Sequence, residues 1–411
     1  MIALPDIKTL EPHILPGNIF LYQSLSTRLV KMDLLFEAGT AYQTKKLCAS
    51  AAVKLCTVAC SGMDSAALAE FMDYRGILVE TDSQVQQSQI TFYFLRNYAT
   101  ELLPLVRGML SGPAFSETDF ETWRNHRRQE ILSAEQKPST MARRDFYFRL
   151  FGDNHPLGRY ATSADLDVLT VDDVRKYIVD HYRPEKMMVG LAGSVDDELL
   201  ALVEENLGKR NYPHQRPVLN IPAAIDVQGC WHTQIESATQ TNIRVGRILP
   251  VSWDSIDYAR LMLLTTVLGG YFGSRLMSNL REDKGFTYGI YARTQIYRGV
   301  IVFFITADVA SGVAKEAVNE IMYELGKLIK EPVPEDELEL VKTVLAGDFL
   351  RSVDGIFERS ARYCDMHATC VTEQLTANLQ KALQAATPSD LQQVAIKYLD
   401  PSKMLVCTAG V

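Results

Sequence analysis

The stretch LTVDDVRKYIVDHYRPEKMMVGLAGSV, Leu169 to Val195, has a close copy later in the sequence: ATPSDLQQVAIKYLDPSKMLVCTAGV, Ala386 to Val411. The two stretches align without a gap at a constant offset of 217 residues, so that Thr170 pairs with Thr387. A gapless match of this length indicates an internal repeat. We therefore predict that the chain consists of two homologous halves of about 200 residues each.

Each copy reads as a helix, a proline turn and a β-type run. Weaker similarities upstream stay in step, since QITFYFL (residues 89–95) resembles VIVFFIT (residues 300–306). Strands that frame long consecutive helices are typical of an α+β sandwich. We expect each half to be a mostly antiparallel sheet covered by helices.

Prolines gather in YPHQRPVLNIP, residues 212–222, which is a linker composition. We place the two halves on either side of it, at residues 1–212 and 223–411.

The composition excludes several classes of function. The chain has 411 residues, of which 47% are hydrophobic and 22% charged, and 50 acids against 42 bases give a net charge of −8. This balance disfavours nucleic acid and anionic membranes as partners. No apolar run approaches the roughly 18 residues that cross a bilayer, and the N-terminus lacks the pattern of a signal peptide. An odd number of cysteines, seven, predicts reduced thiols and a cytoplasmic protein.

Three of these cysteines cluster in LCASAAVKLCTVACSG, residues 47–62. If the segment is one helix, Cys48, Cys56 and Cys60 share a face about 120° wide. The i,i+4 spacing of the last two could hold a metal, but there is no CxxC, and cysteine is among the residues most often buried. We expect the core of a helix and keep metal ligation as the lesser alternative.

Familiar catalytic motifs are absent. No two of the seven histidines lie within five residues of each other, so neither HExxH nor HxxEH occurs, and there is no GxSxG or phosphate-binding loop. The best local signal is VLGGYFGSRLMSNLREDKGFTYGIYAR, residues 267–293, which reads as a helix ended by Gly285 and followed by a strand. Arg281 falls in the last helical turn and Tyr288 in the strand. Side by side they could donate to a peptide carbonyl or an oxyanion. The residues alone favour the alternative, in which the helix dipole accounts for the arginine and packing for the tyrosine.

These stretches resemble a known family, the insulinase/pitrilysin zinc peptidases or inverzincins, in the compact branch that includes the mitochondrial processing peptidases. Residues 268–292 resemble the family's second-half signature, and FGDNHPLGRY with the following residues to Asp196 resembles its first-half signature. The resemblance covers nearly the whole chain and implies two homologous α+β halves.

In catalytic members of that family an HxxEH helix supplies two zinc ligands and the general base, and a glutamate about 70 residues on completes the ligand set. Placed by its flanking sequences, the motif falls on VKLCT, residues 53–57. The downstream ligand falls on Ala134, with Glu135 adjacent. The positions of the lost metal site are then Val53, Cys56, Thr57 and Ala134. The resemblance thus implies no metal or cofactor in this chain.

Arg281 and Tyr288, by contrast, match the family's substrate-binding pair. The resemblance implies a non-catalytic, substrate-binding subunit of a heterodimeric zinc endopeptidase, inactive alone. Its partner would be a homologous HxxEH-bearing subunit that supplies the zinc, and its substrate a peptide. The alternative is a structural or peptide-binding protein with this fold and no role in proteolysis. A hydrolase with a novel site of its own has little support.

Overall fold

The computed structural model describes residues 4–24, 26–208, 224–225 and 227–411. These residues form two sheets, each with its own set of helices, as the repeat predicts. The predicted linker at residues 212–222 lies outside the described residues. The division at 1–212 and 223–411 therefore stays a prediction.

The first half contains a six-stranded sheet in the order β1-β2-β6-β3-β5-β4. Only the β2–β6 pair is parallel. Its strands are β1 (His13–Leu15), β2 (Ile19–Gln23), β3 (Leu29–Phe36), β4 (Leu78–Ser83), β5 (Ser88–Leu95) and β6 (Met188–Gly193). Its helices are α1 (Cys48–Leu55), α2 (Ser65–Arg75), α3 (Ala99–Leu110), α4 (Glu117–Glu135), α5 (Pro138–Phe151), α6 (Ser163–Val168), α7 (Val171–His181) and α8 (Asp197–Leu207).

The second half contains a five-stranded sheet in the order β7-β11-β8-β10-β9, in which only the β7–β11 pair is parallel. Its strands are β7 (Gly229–Gln234), β8 (Gln240–Leu249), β9 (Thr287–Tyr297), β10 (Val300–Ala310) and β11 (Leu405–Gly410). Its helices are α9 (Ile256–Gly269), a π-helical segment (Met277–Asp283), α10 (Ala314–Lys330), α11 (Glu335–Arg351), α12 (Ile356–Thr369), α13 (Gln374–Ala385) and α14 (Pro388–Tyr398). The prediction of mostly antiparallel sheets covered by helices is confirmed. Within the described ranges, no helix combines the length and the apolar character needed to cross a bilayer.

The internal repeat is present in the structure, and its secondary-structure elements match residue by residue. The bounds of α14 and β11 are those of α7 and β6 shifted by 217. Both helices begin with the same capping box, in which the backbone N–H of Thr170 donates to Asp173 Oδ2 at 2.8 Å and that of Thr387 to Asp390 Oδ2 at 3.0 Å. The sheets also share one strand order, with β2-β6-β3-β5-β4 matching β7-β11-β8-β10-β9.

The two halves exchange one helix each. Helix α5 of the first half packs on β8 and β11 of the second sheet, where Phe146 and Leu150 contact a buried cluster with Val302. Helix α12 of the second half packs on β2 and β6 of the first sheet, where Cys364 joins a buried cluster with Phe20. Each sheet therefore has its own helices on one face and a helix of the other half on the opposite face.

The predicted helix over residues 47–62 is shorter than expected. Helix α1 ends at Leu55, Cys56 caps it, and Cys60 lies beyond it in a backbone bridge to Met63. The chain turns here because Gly62 has φ +86° and the side chain of Asp64 caps the next helix. The three clustered cysteines are all buried, as predicted.

Candidate functional site

Arg281 lies on the outer side of the π-helical segment. Met277 and Leu280 of that segment point into the core, whereas the Arg281 guanidinium lies 4.5 Å above the exposed ring of Phe272. No carboxylate pairs with Arg281 among the residues that the structure describes. Gly285 ends the segment with φ +64°, as predicted. Single turns of π-helix occur frequently at functional sites because the wider turn re-aims a side chain.

Tyr288 projects from β9 and is 89% exposed. A β-bulge places it there, because Tyr288 and Gly289 together oppose the single residue Asp308 of β10. The hydroxyl of Thr287 holds the bulge by donating to the Asp308 carbonyl at 2.7 Å and accepting from the Gly289 N–H at 3.1 Å. Thr287 and Ile290 both face inward as a result, and the intervening phenol is directed out of the sheet.

The structure brings Arg281 and Tyr288 onto adjoining elements. The Phe286 N–H donates to the Leu280 carbonyl at 2.8 Å, so the chain folds back at once and β9 packs against the π-helical segment. Neither the guanidinium nor the phenol hydroxyl is used in a hydrogen bond within the described part of the chain. A planar cation and a phenol left available in this way can both donate to one carbonyl or oxyanion.

The positions predicted for the lost metal site do not fit zinc. Val53 and Cys56 are buried in the core of the first half, and the Thr57 hydroxyl donates to the Lys54 carbonyl at 2.9 Å. Valine has no donor atom, and burial raises the pKa of Cys56 to about 12, so its thiol stays protonated at neutral pH. Zinc requires nitrogen, thiolate or carboxylate ligands that can reach it.

Ala134 lies apart from the α1 positions. Beside α1 runs a groove of about 460 Å³, whose lining includes Thr57, Lys54, Trp123 and His126. Ala134 follows His126 by eight residues on α4, about 12 Å along the axis, and borders a different pocket. The structure therefore does not bring Ala134 together with Thr57. The charge-rich sequence around His126 and Glu130 predicts a solvated helix, and the His126 side chain at the groove is 75% exposed. Among the described residues no three His, Cys, Asp or Glu side chains lie close enough to hold a metal.

The HPLG stretch of the first-half signature has a structural role. His155 is buried, stacks on Phe151 with ring centroids 4.5 Å apart, and accepts the Leu157 N–H at Nδ1 at 3.0 Å. Burial, with a smaller effect from Arg159, lowers the pKa of His155 to about 4, so the ring is neutral at pH 7. A Cβ on Gly158 would lie 2.0 Å from the Gly152 carbonyl oxygen, so only glycine fits this turn.

The structure thus contains two repeated α+β halves, a half-buried Arg281 beside the exposed Tyr288 on the second half, and a first half without HxxEH. The family described as Peptidase M16 inactive domain matches residues 169–345. An uncharacterized zinc protease of Mycobacterium bovis is 29% identical over 253 residues, covering 56% of this chain and 57% of the relative. The chain thus spans a little over half the length of the mycobacterial relatives it matches.

Other comparisons point the same way. A protein named non-peptidase homolog YmxG, from Helicobacter pylori, is 21% identical over 286 residues, covering 68% of this chain and 65% of that protein. The solved peptidase M16 inactive domain from Pseudomonas fluorescens is similar in fold, with a TM-score of 0.82, 19% identity and 95% of each chain covered. A protease structure from Helicobacter pylori gives a TM-score of 0.86 at 17% identity, over 98% of this chain and 99% of that one. The chain is thus similar, in sequence and in fold, to proteins of the M16 peptidase family, also called the insulinase/pitrilysin family, and its sequence lacks HxxEH.

Proposed function

We propose that this chain is the substrate-binding, non-catalytic subunit of a heterodimeric zinc endopeptidase in the cytoplasm. Its partner is a homologous HxxEH-bearing subunit, which supplies zinc and the general base. The observation that carries the proposal is the pair Arg281 and Tyr288, held on a π-helical segment and a bulged strand. Within the described residues neither donor group is used in a hydrogen bond, and Tyr288 is 89% exposed. π-Helical segments and β-bulges are both frequent at functional sites.

The chemistry assigned to the pair is electrostatic. Zinc-bound water in the partner attacks a peptide carbonyl, which develops negative charge on its oxygen. Arg281 and Tyr288 donate to that oxygen or to a neighbouring carbonyl, and so hold the substrate and stabilise the intermediate. Strand β9 is an edge strand of its sheet, so its outer backbone groups can pair with an extended peptide.

The lost metal site supports the need for a partner. Val53 offers no ligand atom and Cys56 is a buried protonated thiol, so a chain with these residues binds a peptide without activating water for its hydrolysis.

Reconstitution tests the proposal. The purified chain is mixed with each HxxEH-bearing homologue of the same genome, and zinc content and peptide cleavage are measured before and after mixing. We expect no stoichiometric zinc and no cleavage by the chain alone, and cleavage by one mixture. In that complex Arg281→Ala and Tyr288→Phe each lower turnover by about 100- to 1000-fold, the range for one oxyanion donor. Matched controls are Arg107→Ala and Tyr323→Phe, which change exposed residues on other surfaces.

Each possible result decides a part of the proposal. Unchanged turnover in both site variants refutes the role of the pair. Tight stoichiometric zinc in the isolated chain refutes the non-catalytic assignment. A stable complex whose cleavage does not depend on this chain favours a structural protein instead.

A further inference from the structure

A pocket of about 300 Å³ opens beside Tyr288, between the first turn of α5 and the face of the second sheet that α5 covers. Arg244 of β8 lines it and is only 7% exposed, with its guanidinium 4.3 Å above the ring of Phe304. Its Nε is fully buried without a hydrogen-bond partner. Within the described part of the chain, no carboxylate pairs with Arg244. A buried cation without a counter-charge is costly, and most buried charges in proteins are paired.

The remaining groups at the pocket increase its positive charge. Arg143 of α5 is exposed and lines the same pocket. Helix α5 begins there without a side-chain cap. Pro138 has no N–H, and the N–H groups of Thr140 and Met141 donate to the Lys137 carbonyl, so among the described residues the Ser139 N–H is left for an acceptor. The one carboxylate that lines the pocket, Asp308, accepts from Asn242 Nδ2 at 2.9 Å instead of pairing with an arginine. Burial and, less strongly, the charge of Arg143 hold the pKa of Arg244 below its usual value.

The internal repeat offers a comparison within the same molecule. Arg244 lies opposite Cys407 in the second sheet, and Asp33 lies opposite Gly190 in the first. Cys407 and Gly190 are equivalent because they differ by the repeat offset of 217 residues. Their strand partners, Arg244 and Asp33, therefore occupy equivalent positions in the two sheets. Asp33 is buried beneath α12 and has an internal counter-ion, since Lys31 Nζ lies 2.7 Å from its Oδ2. The first half thus neutralises its buried charge inside the chain. The second half leaves an arginine beside an open pocket.

We propose that this pocket binds the C-terminal carboxylate of a peptide. The planar guanidinium of Arg244 matches a carboxylate with two parallel hydrogen bonds, and Arg143 and the Ser139 N–H complete an anion site. The direction of the bound peptide rests on the proposed function. Tyr288 and Tyr291, which borders the pocket, are three residues apart on β9, about 10 Å along the strand. A peptide bound at Tyr288 therefore has its C-terminus about three residues further along, at the pocket. The chain would then prefer peptides with a free C-terminus at that distance.

Binding of matched peptides to the isolated full-length chain tests the proposal. Fluorescent peptides without Asp or Glu are made in two forms, with a free C-terminal carboxylate and with a C-terminal amide, and affinities are measured by anisotropy. We expect the free acids to bind at least about tenfold more tightly, the usual effect of a hydrogen bond to a charged group. Arg244→Gln abolishes the difference, whereas Arg107→Gln, with the same loss of charge on another surface, preserves it. Because Arg244 is buried, the exposed Arg143→Gln serves as a second variant and reduces the difference without affecting folding.

The outcomes separate this proposal from the preceding one. Equal binding of acid and amide by the wild-type chain overturns the carboxylate site but leaves the turnover test of Arg281 unaffected. An amidated peptide that regains full affinity through an internal glutamate overturns the assignment to the chain terminus. Arg281→Ala is expected to weaken both peptide forms equally and to leave their ratio unchanged, so a lost ratio in that variant also overturns the separate site.

Discussion

Replacing Asp33 by asparagine should strongly destabilise the protein. Asp33 and Lys31 are 0% and 3% exposed, and the Lys31 ammonium lies 2.7 Å from Asp33 Oδ2. The same carboxylate accepts from Ser360 of α12 at 2.9 Å and from Thr91 at 2.8 Å, so the pair lies at the junction of the two halves. Asparagine preserves the shape and removes the charge, which leaves the ammonium buried without a counter-ion.

The expected cost is about 3–5 kcal/mol, the usual effect of removing one partner of a buried ion pair. That is a large fraction of the roughly 5–15 kcal/mol by which proteins are stable. Burial alone would lower the pKa of Lys31, but the charge of Asp33 outweighs it and holds that pKa above its usual value. In the variant the charge of Asp33 is gone and burial is the largest remaining effect, so the folded-state pKa of Lys31 falls below its unfolded value. The loss of unfolding free energy caused by Asp33→Asn should therefore become smaller as the pH rises towards 10.5, because the buried Lys31 then loses its proton more readily in the folded variant than in the unfolded chain.

Urea unfolding followed by circular dichroism measures the effect for Asp33→Asn, Lys31→Met and the double variant. We expect the double variant to lose less than the sum of the single losses, because it leaves no unpaired charge. Asp180→Asn is the matched control, since it breaks an exposed pair with Lys176 at 2.9 Å and should cost less than about 0.5 kcal/mol. A loss below about 1 kcal/mol for Asp33→Asn, or strict additivity, would refute the reasoning.

Three further predictions follow from local contacts. Thr170→Ala and Thr387→Ala remove equivalent helix caps and should each cost about 1 kcal/mol in urea unfolding, with additive effects; strong coupling would contradict their independence. The pKa of His155 is about 4 in the folded protein and 6.5 in the unfolded chain. Its neutral ring therefore contributes stability that is fully present above pH 6.5 and is lost as the pH falls to about 4. His155→Gln should flatten the pH dependence of thermal unfolding in that window, and an unchanged slope would count against the assignment. Cys230 and Cys370 are exposed and the other five cysteines buried, so a thiol reagent should modify two sites rapidly in the native protein and no more.

The repeat made the architecture predictable because its signals are local. A capping threonine, a proline turn and a β-type run determine α7 with β6 and α14 with β11, and the structure reproduces both pairs at the predicted offset. The order of helix, glycine and strand around Arg281 and Tyr288 could likewise be predicted from the sequence, because glycine readily takes the left-handed conformation that Gly285 has at the end of the segment. The β-bulge that exposes Tyr288 was not predictable from the sequence, because it depends on the pairing of β9 with β10.

Long-range packing decided what the sequence did not reveal. In NIRV, residues 242–245, polar residues alternate with apolar ones, which is typical of a strand with one solvent-facing side. In the structure α5 of the other half covers that face, so Arg244 is buried. No local pattern predicts this contact between residues a hundred positions apart. The length of α1 and the separation of Ala134 from Thr57 depend on tertiary packing in the same way.

The crossed packing of α5 and α12 has the form of a domain-swapped dimer whose two subunits have become one chain. A half-length ancestor could cover both faces of its sheet only by associating with a second copy, at a concentration that permits dimerisation. Fusion makes that association intramolecular and independent of concentration. After fusion the two halves can also diverge in sequence. One position can become an aspartate that is neutralised inside the chain, as Asp33 is, while the equivalent position becomes an arginine at an open pocket, as Arg244 is. Neither half should fold when expressed without the other.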